Sequence, residues 1–156
     1  LLLAVEMLVA LVTMVPTAKL AGRVGLKPVV ALGFSVYAVF PVLLINAPDS
    51  AAAVVLLFAF SGVRFAGLPA HKALIVGPAD SGAGGRITGS YYLLRNLIVI
   101  PSSALGGALY GGIPNPFGEG QLLAGSPLLA FGLATVIGLV GTGYFLVFGT
   151  DFEAYQ

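Results

Sequence analysis

Five long apolar runs, separated by short stretches rich in Gly, Pro, Ser and charge, organise this chain of 156 residues. Crossing a hydrocarbon core about 30 Å thick takes about 20 helical residues at about 1.5 Å each. Every run reaches that length. The pattern predicts membrane helices over about 1–20, 28–47, 51–76, 88–112 and 126–149. Their boundaries fall at turn residues: Gly22 to Gly25, Pro48-Asp49-Ser50, Gly77-Pro78 with the Ser/Gly run to Gly85, and Gly111 to Gly125. Only the last connector is long enough to form a real loop outside the membrane. Pro16, Pro41, Pro69 and Pro101 fall inside the runs, and each is a candidate kink.

The placement of cations orients this pattern. Lys19, Arg23 and Lys27 cluster at the first connector, and Arg86 sits at the third with Lys72 just before it. The second and fourth connectors carry only Asp49 and Glu119. Lys and Arg in short loops mark the cytoplasmic side. The first and third connectors are therefore expected inside, with the C-terminus cytoplasmic.

Composition sharpens the class. Hydrophobic residues make up 58% and charged residues 8%, with a mean hydropathy of +1.04. A soluble domain carries roughly 25% charge. So few charges could not cover a water-facing surface of this size, so lipid is the expected solvent. The absence of cysteine excludes disulfides and thiolate metal sites, and a lone His71 builds no histidine metal centre. No basic tract points to nucleic acid, and no cofactor is expected. The chain opens at Leu1 in mid-run, with none of the segments of a secretory signal. The expectation is a fragment whose first span is cut short.

The first connector carries a recognisable signature, Ala18-Lys-Leu-Ala-Gly-Arg-Val-Gly-Leu-Lys-Pro28. It resembles the cytoplasmic loop motif of the major facilitator superfamily, Gly-x-Leu-Ala/Ser-Asp-Arg-x-Gly-Arg-Lys-Pro. Leu20, Ala21, Arg23, Gly25, Lys27 and Pro28 match, whereas Ala18, Gly22 and Leu26 depart from it. Loss of the acidic member is similar to the second copy of the motif in that family. The stretch Gly85-Arg-Ile-Thr-Gly-Ser-Tyr-Tyr-Leu-Leu-Arg-Asn96, followed by Pro101 and Leu105-Gly-Gly-Ala-Leu109, resembles the start of the family's eleventh helix. The resemblance implies helices eight to twelve of a twelve-helix transporter in the plasma membrane, with the first half of the protein missing. The expected fold is thus all-α, a five-helix transmembrane bundle forming part of a major-facilitator-type domain.

Polar residues inside the runs are the candidate functional positions. Arg64 lies near the middle of the third run, where a charge costs at least about 2.5 kcal/mol. It shares a helical stripe with Ser61 and His71. The resemblance implies that this helix lines a substrate cavity. A structural ion pair, or a contact with carbonyls freed near Pro69, would also hold Arg64. Arg95, beside Asn96 and on a stripe with Thr88, Tyr92 and Ser102, counts to nearly the same depth. Two cations at one depth would suit an anionic solute. Alternatively, Arg95 snorkels to the inner headgroups. Glu6 shares a stripe with Thr13 and Thr17 and counts to about 9 Å from Arg64 along the membrane normal, at about 1.5 Å per residue. Such a carboxylate could carry a coupling proton or balance Arg64.

Tyr91, Tyr92 and Tyr110 read as interface or packing residues. Gly107 and Gly111, with Ala104 and Ala108, form a small-residue face suited to helix packing. Gly82-Ala-Gly-Gly-Arg-Ile fails the dinucleotide fingerprint and follows no strand. No nucleophile, base and acid converge, so no enzyme is expected. The sequence points to a secondary transporter of a small solute, driven by a proton or cation gradient. Its rival is a helical scaffold whose buried charges serve only to pair.

Overall fold

The computed structural model describes residues 1–77 and 82–150. Pro78 of the third connector and the tail from Asp151 onward lie outside the described residues. The described chain is mostly helical: α1 (Leu2–Val24), α2 (Leu26–Ile45), α3 (Ala51–Ala66), α4 (Leu68–Val76), α5 (Gly84–Gly111) and α6 (Pro127–Phe148). Since α3 and α4 continue one another, the helices form five segments, each long and apolar enough to cross a membrane. This is the profile of a membrane protein. Its outward faces, such as Leu93, Leu97 and Ile100 of α5 or Val136 and Val140 of α6, are exposed apolar surface.

The first connector is tighter than the sequence suggests. Gly25 alone reverses the chain, at φ 91° and ψ 167°, in a region of backbone space open essentially only to glycine. Consequently α1 runs on to Val24 and α2 begins at Leu26, so Arg23 and Lys27 sit on helix ends rather than in a loop. Pro28 falls in the first turn of α2, where a missing N–H leaves no intrahelical bond unmade. The fourth connector contains a two-stranded antiparallel hairpin, β1 (Ile113–Pro114) with β2 (Gln121–Leu123). After it, Ser126 caps α6 by accepting a hydrogen bond from the Leu129 N–H at 3.2 Å.

Of the four intramembrane prolines, only Pro69 accompanies a break. Pro16, Pro41 and Pro101 lie within continuous helices. The third segment is interrupted at Gly67, the link between α3 and α4, with Pro69 in the first turn of α4. Proline cannot donate its backbone hydrogen bond, and Gly67 lies against α2, where a Cβ would stand 3.2 Å from the Val29 carbonyl oxygen.

Buried residues concentrate on α2, which packs against α1, α3, α4 and α6. Lipid tails are as apolar as the helices, so close backbone approach must supply much of the association. Glycine supplies it. A Cβ at Gly62 would stand 2.5 Å from the Glu6 carbonyl oxygen, one at Gly33 3.1 Å from the Arg64 oxygen, and one at Gly138 2.7 Å from the Ala38 Cβ. Gly107 and Gly111, the expected packing pair, have open space around them. None of the described residues covers that face of α5, the least buried helix of the bundle.

Candidate intramembrane polar site

Glu6, on the inner face of α1, is 2% exposed and Ser61 on α3 is fully buried. The Ser61 hydroxyl donates to Glu6 Oε1. Arg64, one turn after Ser61 on α3, brings Nη2 to 2.9 Å from the same carboxylate oxygen. Residue counting set Glu6 and Arg64 about 9 Å apart along the membrane normal and left their pairing open. The structure pairs them, because α1 and α3 are staggered so that Glu6 stands level with Gly62. Gly62 lies against the Glu6 backbone, and Arg64 is only two residues beyond it, about 3 Å of helix rise. Gly62 thus does two things: it lets α1 and α3 touch, and it sets the register that joins carboxylate, hydroxyl and guanidinium.

Aromatic rings surround the other side of the guanidinium. Its central carbon lies 4.5 Å from the centroid of Phe65, 5.1 Å from Tyr37 and 5.7 Å from Phe40. Such rings stabilise a cation through their electron-rich faces. The Nε–H is buried and has no hydrogen-bond partner among the described residues. Arg64 is nonetheless 22% exposed in its side chain, because one edge opens into a cavity.

That cavity, about 490 Å³, lies between α2, α3, α4 and α5. Phe34 and Tyr37 line it from α2, Arg64 and Phe65 from α3, and His71 from α4. Tyr91, Arg95 and Val99 close it from α5. These three are spaced by four residues, so they share one helix face. The stripe actually used on α5 is therefore that of Tyr91, not that of Thr88, Tyr92 and Ser102. Tyr91 Oη sits 3.0 Å from His71 Nε2, and the His71 ring meets Phe34 edge-on at 5.3 Å.

Both arginines line this one cavity. Arg64 lies twelve residues before Val76 and Arg95 eleven after Gly84, about 18 and 17 Å along their helices at 1.5 Å per residue. Their electrostatic situations differ. Arg64 is paired with Glu6, whereas Arg95 has no carboxylate within ion-pair distance among the described residues. The break at Gly67 also falls on this cavity, since Gly67 and Leu68 belong to its lining.

Of the residues picked from the sequence, Arg64, His71 and Arg95 meet in the cavity. Glu6 and Ser61 stand behind Arg64 as its support. Asn96 is exposed and does not line the cavity. Tyr37, Phe34 and Phe65 escaped notice because an aromatic residue in an apolar run carries no signal of its own. A second, smaller groove between α1 and α4, lined by Thr17, Ala21, Ala66, Pro69 and Ala70 among others, holds no charged side chain. The matching loop residues Leu20, Ala21, Arg23, Gly25, Lys27 and Pro28 gather at the α1–α2 end, and none of them lines the cavity.

No family model, curated protein or solved structure matches the chain.

Proposed function

We propose that this chain is part of a secondary transporter of the major-facilitator type, which moves a small solute across the membrane by alternating access. The observation that carries this reading is the cavity holding Arg64, His71 and Arg95 halfway along membrane-length helices. Charges at that depth are costly and are retained where they meet water, a solute or a partner. A helix broken beside the cavity supports it further, since transporters place discontinuous helices at their midplane sites. The loop resemblance at Ala18 to Pro28 supplies the family. On this reading five of the seven Lys and Arg residues (Lys19, Arg23, Lys27, Lys72 and Arg86) face the cytoplasm of the cell. The C-terminus lies on the same side, and another half of the protein completes the path.

The Glu6–Arg64 pair also favours a second reading, a non-transporting scaffold in which buried charges only hold helices together. Arg95 separates the two. The intact polypeptide, reconstituted in proteoliposomes, is tested for uptake of radiolabelled amino acids, sugars and carboxylates. Arg95→Ala should abolish saturable uptake of one of them while membrane abundance stays normal, because Arg95 has no carboxylate partner among the described residues. Absence of uptake for every solute, with abundance falling whenever a buried charge is changed, would establish the scaffold instead.

A further inference from the structure

Resting on the transporter reading, the geometry points to a specific solute class: we infer that the cavity takes an organic monoanion with an aromatic or branched apolar body, a monocarboxylate of benzoate-like form. Charge sets the first requirement. The cavity meets two guanidinium groups, but Glu6, buried behind Arg64 at 2.9 Å, cancels one of them. Arg95 is left as the one positive charge on the lining without a carboxylate near it among the described residues. One cation without a carboxylate partner among the described residues calls for one negative charge. A second would enter a low-dielectric space with nothing to balance it.

Shape and surface set the second. Four aromatic side chains, Phe34, Tyr37, Phe65 and Tyr91, line the space together with Val30, Leu68 and Val99. A wall of this kind buries an apolar body and gives a strongly hydrated ion such as inorganic phosphate little in return for its lost water. About 490 Å³ falls within the roughly 300–1,000 Å³ typical of small-molecule sites. A planar guanidinium binds a carboxylate through two parallel hydrogen bonds. The His71–Tyr91 pair, 3.0 Å apart, and Tyr37 add hydrogen-bonding groups around the rim. The solute's carboxylate therefore lies at Arg95 and its body between α2 and α3.

The experiment is equilibrium binding of radiolabelled benzoate to the intact polypeptide purified in lipid nanodiscs, with unlabelled competitors. Saturable binding is expected. Phenylacetate should compete. Benzamide, the uncharged isostere, should compete at least about tenfold less well, a difference of about 1.4 kcal/mol. Succinate and inorganic phosphate should not compete. Arg95→Gln should weaken benzoate at least tenfold, and Arg95→Lys should recover part of the loss without restoring it. Absence of saturable benzoate binding, equal competition by benzamide, or stronger competition by succinate or phosphate would each overturn the assignment. In those cases solute uptake by proteoliposomes decides the wider reading separately: uptake of a sugar or a cationic amino acid would leave the transporter standing with a different solute.

Discussion

Separating the two charges of the buried pair should produce an unequal result. Glu6 is 2% exposed, so Arg64→Gln leaves a carboxylate in the bundle with only the Ser61 hydroxyl for company. Removing one partner of a buried pair costs about 3–5 kcal/mol, because the survivor keeps its desolvation penalty. Glu6→Gln is milder. The amide oxygen still accepts from Ser61, while Arg64 retains three aromatic rings within 6 Å and an edge on the cavity. Its loss should be about 1–2 kcal/mol, the scale of a net hydrogen bond to a charged group. The double variant removes both charges and should cost about 2–3 kcal/mol less than the two single losses added together, the upper range for coupled neighbours. Unfolding free energies of the intact polypeptide in bicelles provide the measurement. Additivity within about 0.5 kcal/mol, or a larger loss for Glu6→Gln than for Arg64→Gln, would refute the claim that each charge is held by the other.

Two further outcomes follow from the packing and from the course of the chain. Gly62→Ala places a Cβ 2.5 Å from the Glu6 carbonyl oxygen, so α1 and α3 must part by about 1 Å. Overpacking of this kind costs about 1–3 kcal/mol. Gly22→Ala, with open space at its Cβ, should leave the melting temperature unchanged or raise it, and equal melting of the two variants would remove the close-approach argument. Because the chain has no native cysteine, single cysteines report sidedness cleanly. Arg23→Cys and Gly118→Cys should react with membrane-impermeant maleimide from opposite faces of sealed vesicles, and labelling from one face would rule out the alternating topology.

Sequence by itself determined the solvent and the number of crossings. Hydropathy is a property of the residues whatever their partners, so five apolar runs became five membrane-length segments. The ends moved where glycine was read as loop: Gly84 and Gly85 wind into α5, and Gly25 alone makes a turn expected to run from Gly22. Cost likewise singled out Arg64 and Glu6, since an ionised group in lipid demands an explanation before any partner is known. Tertiary structure decided what those groups do. The stagger of α1 against α3 brought Glu6 to Arg64, and it depends on where two helices touch, which a residue count cannot supply. The face of α5 turned toward α4 decided that Tyr91 and Arg95, rather than Tyr92, border the cavity. Gly33, Gly62 and Gly138 set the close contacts, whereas Gly107 and Gly111, the pair the sequence offered, have open space where a Cβ would stand. A small residue permits close approach from any side, and only the neighbouring helix selects which of the chain's 22 glycines is used.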